Sequence, residues 1–177
     1  MAKVELGERA RGMIEWFKDY SVWNINSRLI DERRCLPPSV VADMAERGFF
    51  GIYVPEQYGG SPISYTEGVK LAEQIGFFDI AIGAFVMNNN CLGVRPVANY
   101  GSDWAKEHYL PTLASGRGLA CLGVSEPGAG SNPLGMASTG QKVADDSWVL
   151  NGKKMWIGNA AWCHSMNLFV RTKNEKT

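Results

Sequence analysis

Apolar residues at Met13, Trp16, Phe17 and Tyr20 recur at i, i+3, i+4 and i+7, which predicts an amphipathic helix that turns one stripe inward. A further helix is expected over "LPPSVVADMAERG", with proline in its first turn, an apolar face of Val40, Val41 and Met44, and Gly48 as its stop. Ser64 followed by Glu67 has the spacing of a capping box, and the helix it opens carries Leu71, Ile75 and Phe78 along one face. From Ile80 to about Tyr100 the chain is weakly polar on every side, as in a helix buried between others. Asn88, Asn89 and Asn90 interrupt that run. A polar patch lining a ligand and a set of satisfied core amides both fit the triplet. "SDWAKEHYLPTLASG" closes the helical part, with Ser102 or Asp103 as N-cap and Gly116 beyond the last turn.

After about Gly118 the period shortens. "LACLGVSE", "MASTGQKVA" and "SMNLFVRT" read as strands, and Asn151-Gly152 in "SWVLNGKKMWI" predicts a type I′ hairpin, whose two central residues take positive φ. The fold class expected is α+β: an all-helical domain over residues 1–118, then an incomplete antiparallel β-sandwich or barrel domain over 119–177. About four strands leave open edges, so the β part looks unfinished.

Composition narrows the function classes. Eighteen basic residues balance eighteen acidic ones in a chain of 177, so no field favours nucleic acid or an anionic membrane surface. The N-terminal "MAKVELGERARG" lacks the apolar core of a signal peptide, and no later run reaches the roughly 20 apolar residues of a membrane span. A cytoplasmic protein is the expectation. Four scattered cysteines and two histidines predict neither a metal site nor a disulfide framework. Cys163 and His164 are adjacent in sequence, but chain neighbours usually point apart, which argues against a catalytic thiol–imidazole pair.

The segment "CLGVSEPGAGSNPLG", Cys121 to Gly135, is the strongest candidate for chemistry. It is not a dinucleotide fingerprint, because Pro133 stands where the last glycine of G-x-G-x-x-G belongs. Nor is it a P-loop, because it has no lysine. What remains is either a loop whose amides approach a flat or anionic ligand, with hydroxyls at Ser125 and Ser131 to orient it, or a Gly/Pro corner between strands.

"GVSEPGAGSNPLG" followed by "VLNGKKMWIGNA" strongly resembles the acyl-CoA dehydrogenase family. The family's flavin signature runs small, aliphatic, Ser or Thr, Glu, two variable positions, small, Gly, Ser or Thr, Asp, two variable positions, small. Gly123, Val124, Ser125, Glu126, Ala129, Gly130, Ser131 and Gly135 fit it, and Asn132 departs where the family has aspartate. "GFFGIYVPEQYGG" and "YGSDWAKEHYLPTLASGRGLACLGVSEPGAGS" extend the resemblance upstream, so that it covers most of the chain from about Leu36.

The resemblance implies FAD as cofactor and α,β-desaturation of an acyl thioester, of coenzyme A or of a carrier protein, in fatty acid metabolism. In such enzymes a glutamate removes the α proton while the β hydride passes to flavin N5. Leu122, Val124, Ser125, Gly130 and Ser131 are implied to run along the cofactor, with Ser131 also meeting the substrate. Trp156, Ile157 and Gly158 are implied to meet the isoalloxazine from the neighbouring hairpin. At Gly158 the family commonly has a threonine or serine that contacts N5, so here only a backbone amide is expected. Leu122 replaces an aromatic residue found in some members.

The resemblance further implies a flavoprotein or oxygen as electron acceptor, and a homotetramer for a complete enzyme. It places the catalytic glutamate on a C-terminal helical bundle outside the 177 residues, so this chain alone is expected to be inactive. A same-fold flavin monooxygenase or oxidase, or a non-catalytic interaction module, are the alternatives.

Overall fold

The structure, a computed structural model, describes residues 5–145 and 147–172. The predicted N-terminal stripe folds as α1 (Glu8–Asn24), with Met13 and Phe17 buried and Trp16 stacked on Tyr20 at its edge. A helix absent from the sequence reading follows: α2 (Ser27–Arg33), capped by the Asn26 side chain, which accepts from Leu29 N. Then come α3 (Pro38–Glu46) and α4 (Tyr65–Phe78). The Ser64/Glu67 capping box forms as expected, and the Glu67 carboxylate also accepts from Gly7 N at 2.7 Å, tying the start of α1 to α4.

The run from Ile80 to Tyr100 is helical throughout but not uniform. α5 (Ile80–Met87) passes into a π-helical segment, Asn88–Val94, and out into α6 (Arg95–Tyr100). α7 (Asp103–Ala114) completes the layer, with Ser102 as its N-cap. The main core gathers Phe17, Met44, Phe49, Phe50, Leu71, Ile75, Ile82 and Val86. A smaller one joins Val54, Val94, Leu110 and Leu113 to Ala120.

The β part holds two small sheets. β1 (Leu119–Gly123) pairs parallel with β4 (Cys163–Leu168), from Leu119 opposite Cys163 to Gly123 opposite Leu168. β2 (Thr139–Ala144) lies between β3 (Ser147–Asn151), antiparallel, and β5 (Arg171–Thr172), parallel. The helix-then-sheet order matches the expectation, but the pairing is mixed rather than wholly antiparallel. The expected Asn151-Gly152 hairpin is also displaced. The reversal falls between Ala144 and Ser147, because Asn151 is still in the ladder opposite Thr139. Gly152 runs so close to Ser138 that a Cβ would not fit, so its role is close approach rather than a turn.

Asparagine carboxamides join the two layers. Asn89 accepts from Ala120 N at 2.7 Å and donates to Phe50 O, and Asn90 donates to Phe49 O and Val86 O. From the sheet side, Asn167 donates to Leu92 O and Gly93 O, and Asn159 to Phe85 O. Gly93 abuts Ala120 with no space for a side chain, so a glycine is required where the π segment crosses β1. Two of the three clustered asparagines are thus core amides: Asn89 is bonded through both its oxygen and its nitrogen, whereas Asn90 bonds through Nδ2 and its buried Oδ1 meets no partner among the described residues.

Asn89→Leu should therefore strand the Ala120 amide and the Phe50 carbonyl in the core. Two unpaired buried groups predict a loss of roughly 2–4 kcal/mol, read as a lower urea midpoint. An unchanged midpoint would show that the link carries no stability.

Candidate functional site

β1 ends at Gly123, and the chain then turns sharply. Glu126 N donates to Ala129 O at 2.9 Å and Ala129 N donates back to Glu126 O at 3.1 Å, closing a turn with Pro127 in its second position. The Glu126 carboxylate points inward. It accepts from Lys154 Nζ at 2.6 Å, Ala137 N at 2.6 Å and Ser138 N at 3.1 Å, and its side chain is 6% exposed. Lys154 also donates to Val124 O at 3.1 Å, and Met155 N donates to Ser125 O at 2.9 Å. Residues 124–126 are thus laced to 154–155.

This lacing brings the two motifs together. Leu122, Val124, Ser125, Trp156, Ile157 and Gly158 line one open pocket of about 230 Å³, joined by Cys121 and, from the helical layer, Asn88 and Leu92. Trp156, Ile157 and Gly158 reach it from the segment after β3, not from the hairpin expected to carry them. Trp156 has φ 59° and is 87% exposed. A bulky residue in that backbone region is strained, and such strain clusters at ligand sites. Gly130 and Ser131 lie on the exposed loop beyond the turn and do not line the pocket.

Of the lining side chains, only Cys121 is titratable. Burial, and then the neighbouring Cys163 thiol, push its thiol up to about 12, which rules it out as a nucleophile near neutral pH. Glu126 is equally unsuited to proton abstraction, since the Lys154 ammonium and then the Ser138 and Ala137 donors hold its carboxyl down at about 2. Cys163 and His164 diverge: the Cys163 thiol donates to Ala160 O, while His164 packs edge-on to Tyr109. Among the described residues no His/Cys/Asp/Glu group has the makings of a metal site, and no helix is long and apolar enough to cross a membrane.

A larger cavity of about 560 Å³ lies between α2, α4 and α5. Its polar residues are already engaged: Ser27 donates to Phe78 O, Asp79 caps Ile82 N, and Asp31 pairs with Arg34. The smaller pocket, whose Ser125 hydroxyl has no side-chain partner among the described residues and whose tryptophan face is open, is the better candidate.

Sequence reasoning missed Lys154 and did not single out Asn88 from its two neighbours. A lysine beside "NGK" offers no local sign that it pairs with a carboxylate 28 residues earlier. The asparagine triplet was visible, but which member faces the pocket depends on the π turn.

A helical layer feeding a β1-to-turn segment laced to the Lys-Met-Trp-Ile-Gly run after β3 defines a family fold. Residues 13–117 match the model for the acyl-CoA dehydrogenase N-terminal domain, and residues 121–177 that for the acyl-CoA dehydrogenase middle domain. The chain belongs to the acyl-CoA dehydrogenase family.

It is 31% identical over 171 residues to the human mitochondrial short-chain specific acyl-CoA dehydrogenase, covering 96% of this chain and 41% of that protein. It is 34% identical over 155 residues to (2S)-methylsuccinyl-CoA dehydrogenase of Cereibacter sphaeroides, covering 88% and 27%. Among solved structures, the acyl-CoA dehydrogenase of Bacillus anthracis complexed with FAD superposes with a TM-score of 0.82 at 25% identity, covering 95% of this chain and 30% of that one. Glutaryl-CoA dehydrogenase of Mycobacterium smegmatis in complex with FADH2 gives 0.83 at 26%, covering 95% and 44%. The chain spans less than half the length of each of these relatives.

Because the Glu126 carboxyl sits at about 2 when folded, against 4.5 ordinarily, its contribution to stability is complete above about pH 4.5 and is lost as pH falls toward 2. Glu126→Gln should lower the melting temperature at pH 7 by several degrees and flatten the fall in melting temperature between pH 4.5 and 2. Parallel melting curves for the two proteins across that window would show the carboxylate to be unimportant.

Proposed function

We propose that this pocket holds the ring end of FAD, and that the chain supplies the N-terminal, flavin-facing part of an oxidoreductase acting on acyl-CoA thioesters. The observation that carries this reading is the meeting of Leu122, Val124 and Ser125 with Trp156, Ile157 and Gly158 around one opening beside a strained, exposed tryptophan. The FAD and FADH2 complexes of the two solved relatives support the choice of cofactor.

The residues fit a flat, partly polar ring. Leu122, Val124 and Ile157 offer apolar edges, Trp156 a large rigid face, and Ser125 a hydroxyl toward one rim. At about 230 Å³ the pocket suits one end of a dinucleotide rather than its whole length. Apart from chain neighbours, no atom of the described residues comes within 4 Å of a Cβ built at Gly128 or Gly130, so the loop backbone there is open to a phosphate portion.

When bound, FAD supplies the electron sink for a hydride equivalent from the acyl chain. The chain's own part is positional. The Glu126–Lys154 pair fixes the turn so that Ser125 and the backbone after β1 face the ring without rearrangement. No lining residue can take the α proton: Cys121 stays a thiol, and Glu126 is turned away into its ion pair. The base in this proposal is therefore a residue outside the described lining. The same reading takes a second flavoprotein as electron acceptor and a homotetramer as the complete enzyme.

The protein expressed from its complete reading frame should shift the visible band of added FAD and change its fluorescence. Trp156→Ala should weaken that binding roughly tenfold through loss of the stacking face. No spectral change with the unaltered protein would overturn the proposal.

A further inference from the structure

Asn88 differs from its two neighbours. Asn89 and Asn90 turn into the core and bond backbone there, whereas the Asn88 carboxamide makes no hydrogen bond to the described protein. It heads the π-helical segment, where an added residue per turn re-aims side chains, and π turns of this kind are frequent at functional sites. It is half-buried and lines the candidate pocket together with Leu92, Ser125 and Trp156.

Its position is matched to Gly158. A Cβ built at residue 158 would come within 2.6 Å of Asn88 Nδ2, so the carboxamide occupies the space that a side chain at 158 would need. Asparagine at 88 and glycine at 158 are two halves of one steric arrangement. The polar group on this wall comes from the helical layer, not from the segment after β3. A half-buried carboxamide with no protein partner is favoured when a ligand supplies one.

We propose that Asn88 is a cofactor-contacting residue, its carboxamide hydrogen-bonding the ring held in the pocket from the space left by Gly158. This rests on the FAD reading above. Asn88 can both donate and accept, so it follows the ring's polar edge without an ionisable group.

FAD titration of the full-length protein and of Asn88→Ala, Asn88→Asp, Gly158→Thr and the Asn88→Ala/Gly158→Thr double variant tests the assignment. Affinity is read by fluorescence and the bound state by its visible band. Asn88→Ala should bind FAD roughly fivefold more weakly, the worth of one hydrogen bond, with a displaced band. Asn88→Asp, close in size but lacking the donor, should weaken binding in the same direction and shows that the effect is not a packing defect. Gly158→Thr alone should push Asn88 aside and weaken binding. In the Asn88→Ala background it should restore affinity, because the threonine hydroxyl enters the vacated space.

The inference is overturned if Asn88→Ala and Asn88→Asp bind FAD like the unaltered protein while Trp156→Ala does not. It is also overturned if the Asn88→Ala and Gly158→Thr penalties simply add in the double variant. Failure of the unaltered protein to bind FAD overturns the underlying reading instead, and is told apart by that result alone.

Discussion

The structure turns on how a handful of carboxamides fasten a sheet to a helical layer. Pro96 has no N–H to give to the Leu92 carbonyl four residues earlier, and Asn167 on β4 donates to that carbonyl and to its neighbour on Gly93. Asn89 reaches the other way to take the Ala120 amide of β1. Apolar contact alone would let β1 slide along the helices, since the hydrophobic effect has no direction. Hydrogen bonds across the interface, buried at Asn89, fix both register and separation. With β1 fixed, β4 is fixed as its parallel neighbour, and the mouth of the pocket lies where β1 ends.

Within that frame, Glu126 organises the second motif. A carboxylate with little access to water needs several donors, and three come from parts of the chain distant in sequence: Lys154, Ala137 and Ser138. Removing one partner would leave a buried charge, so the turn, the entry to β2 and the segment after β3 are held together or not at all. The residue that looks most like a catalytic acid in the glycine-rich stretch is thereby committed to structure. Its depressed proton affinity is the signature of that commitment.

Local features were legible in the sequence and long-range ones were not. The stripe of α1, the face of α4, its capping box and the Ser102 cap all follow from spacings of three to seven residues, where helix geometry dictates the partner. α2 escaped notice because seven residues hold too few turns to show a period. Asn151-Gly152 misled because glycine serves close approach as well as turns, and only the position of Ser138 reveals which. Parallel pairing of β1 with β4 joins residues some 45 apart, and no local pattern encodes it. The candidate site was readable as two motifs through the family resemblance, but the bonds that bring them together had no local signal.

Asn88 and Gly158 show why a motif read residue by residue leaves part of a site unseen. Glycine at 158 looks like a loss when only its own segment is considered, since it removes a side chain from the pocket wall. The volume it vacates is filled by a carboxamide from another layer, 70 positions earlier, aimed there by a π turn. Space in a packed protein is shared, so a deletion on one element permits an addition on its neighbour. The same logic applies to Trp156, whose strained backbone costs about 1–3 kcal/mol yet presents an aromatic face to open space. Such strain persists only where the surrounding structure over-determines it, and the bonds from Lys154 and Met155 to residues 124–126 hold the chain immediately before the tryptophan.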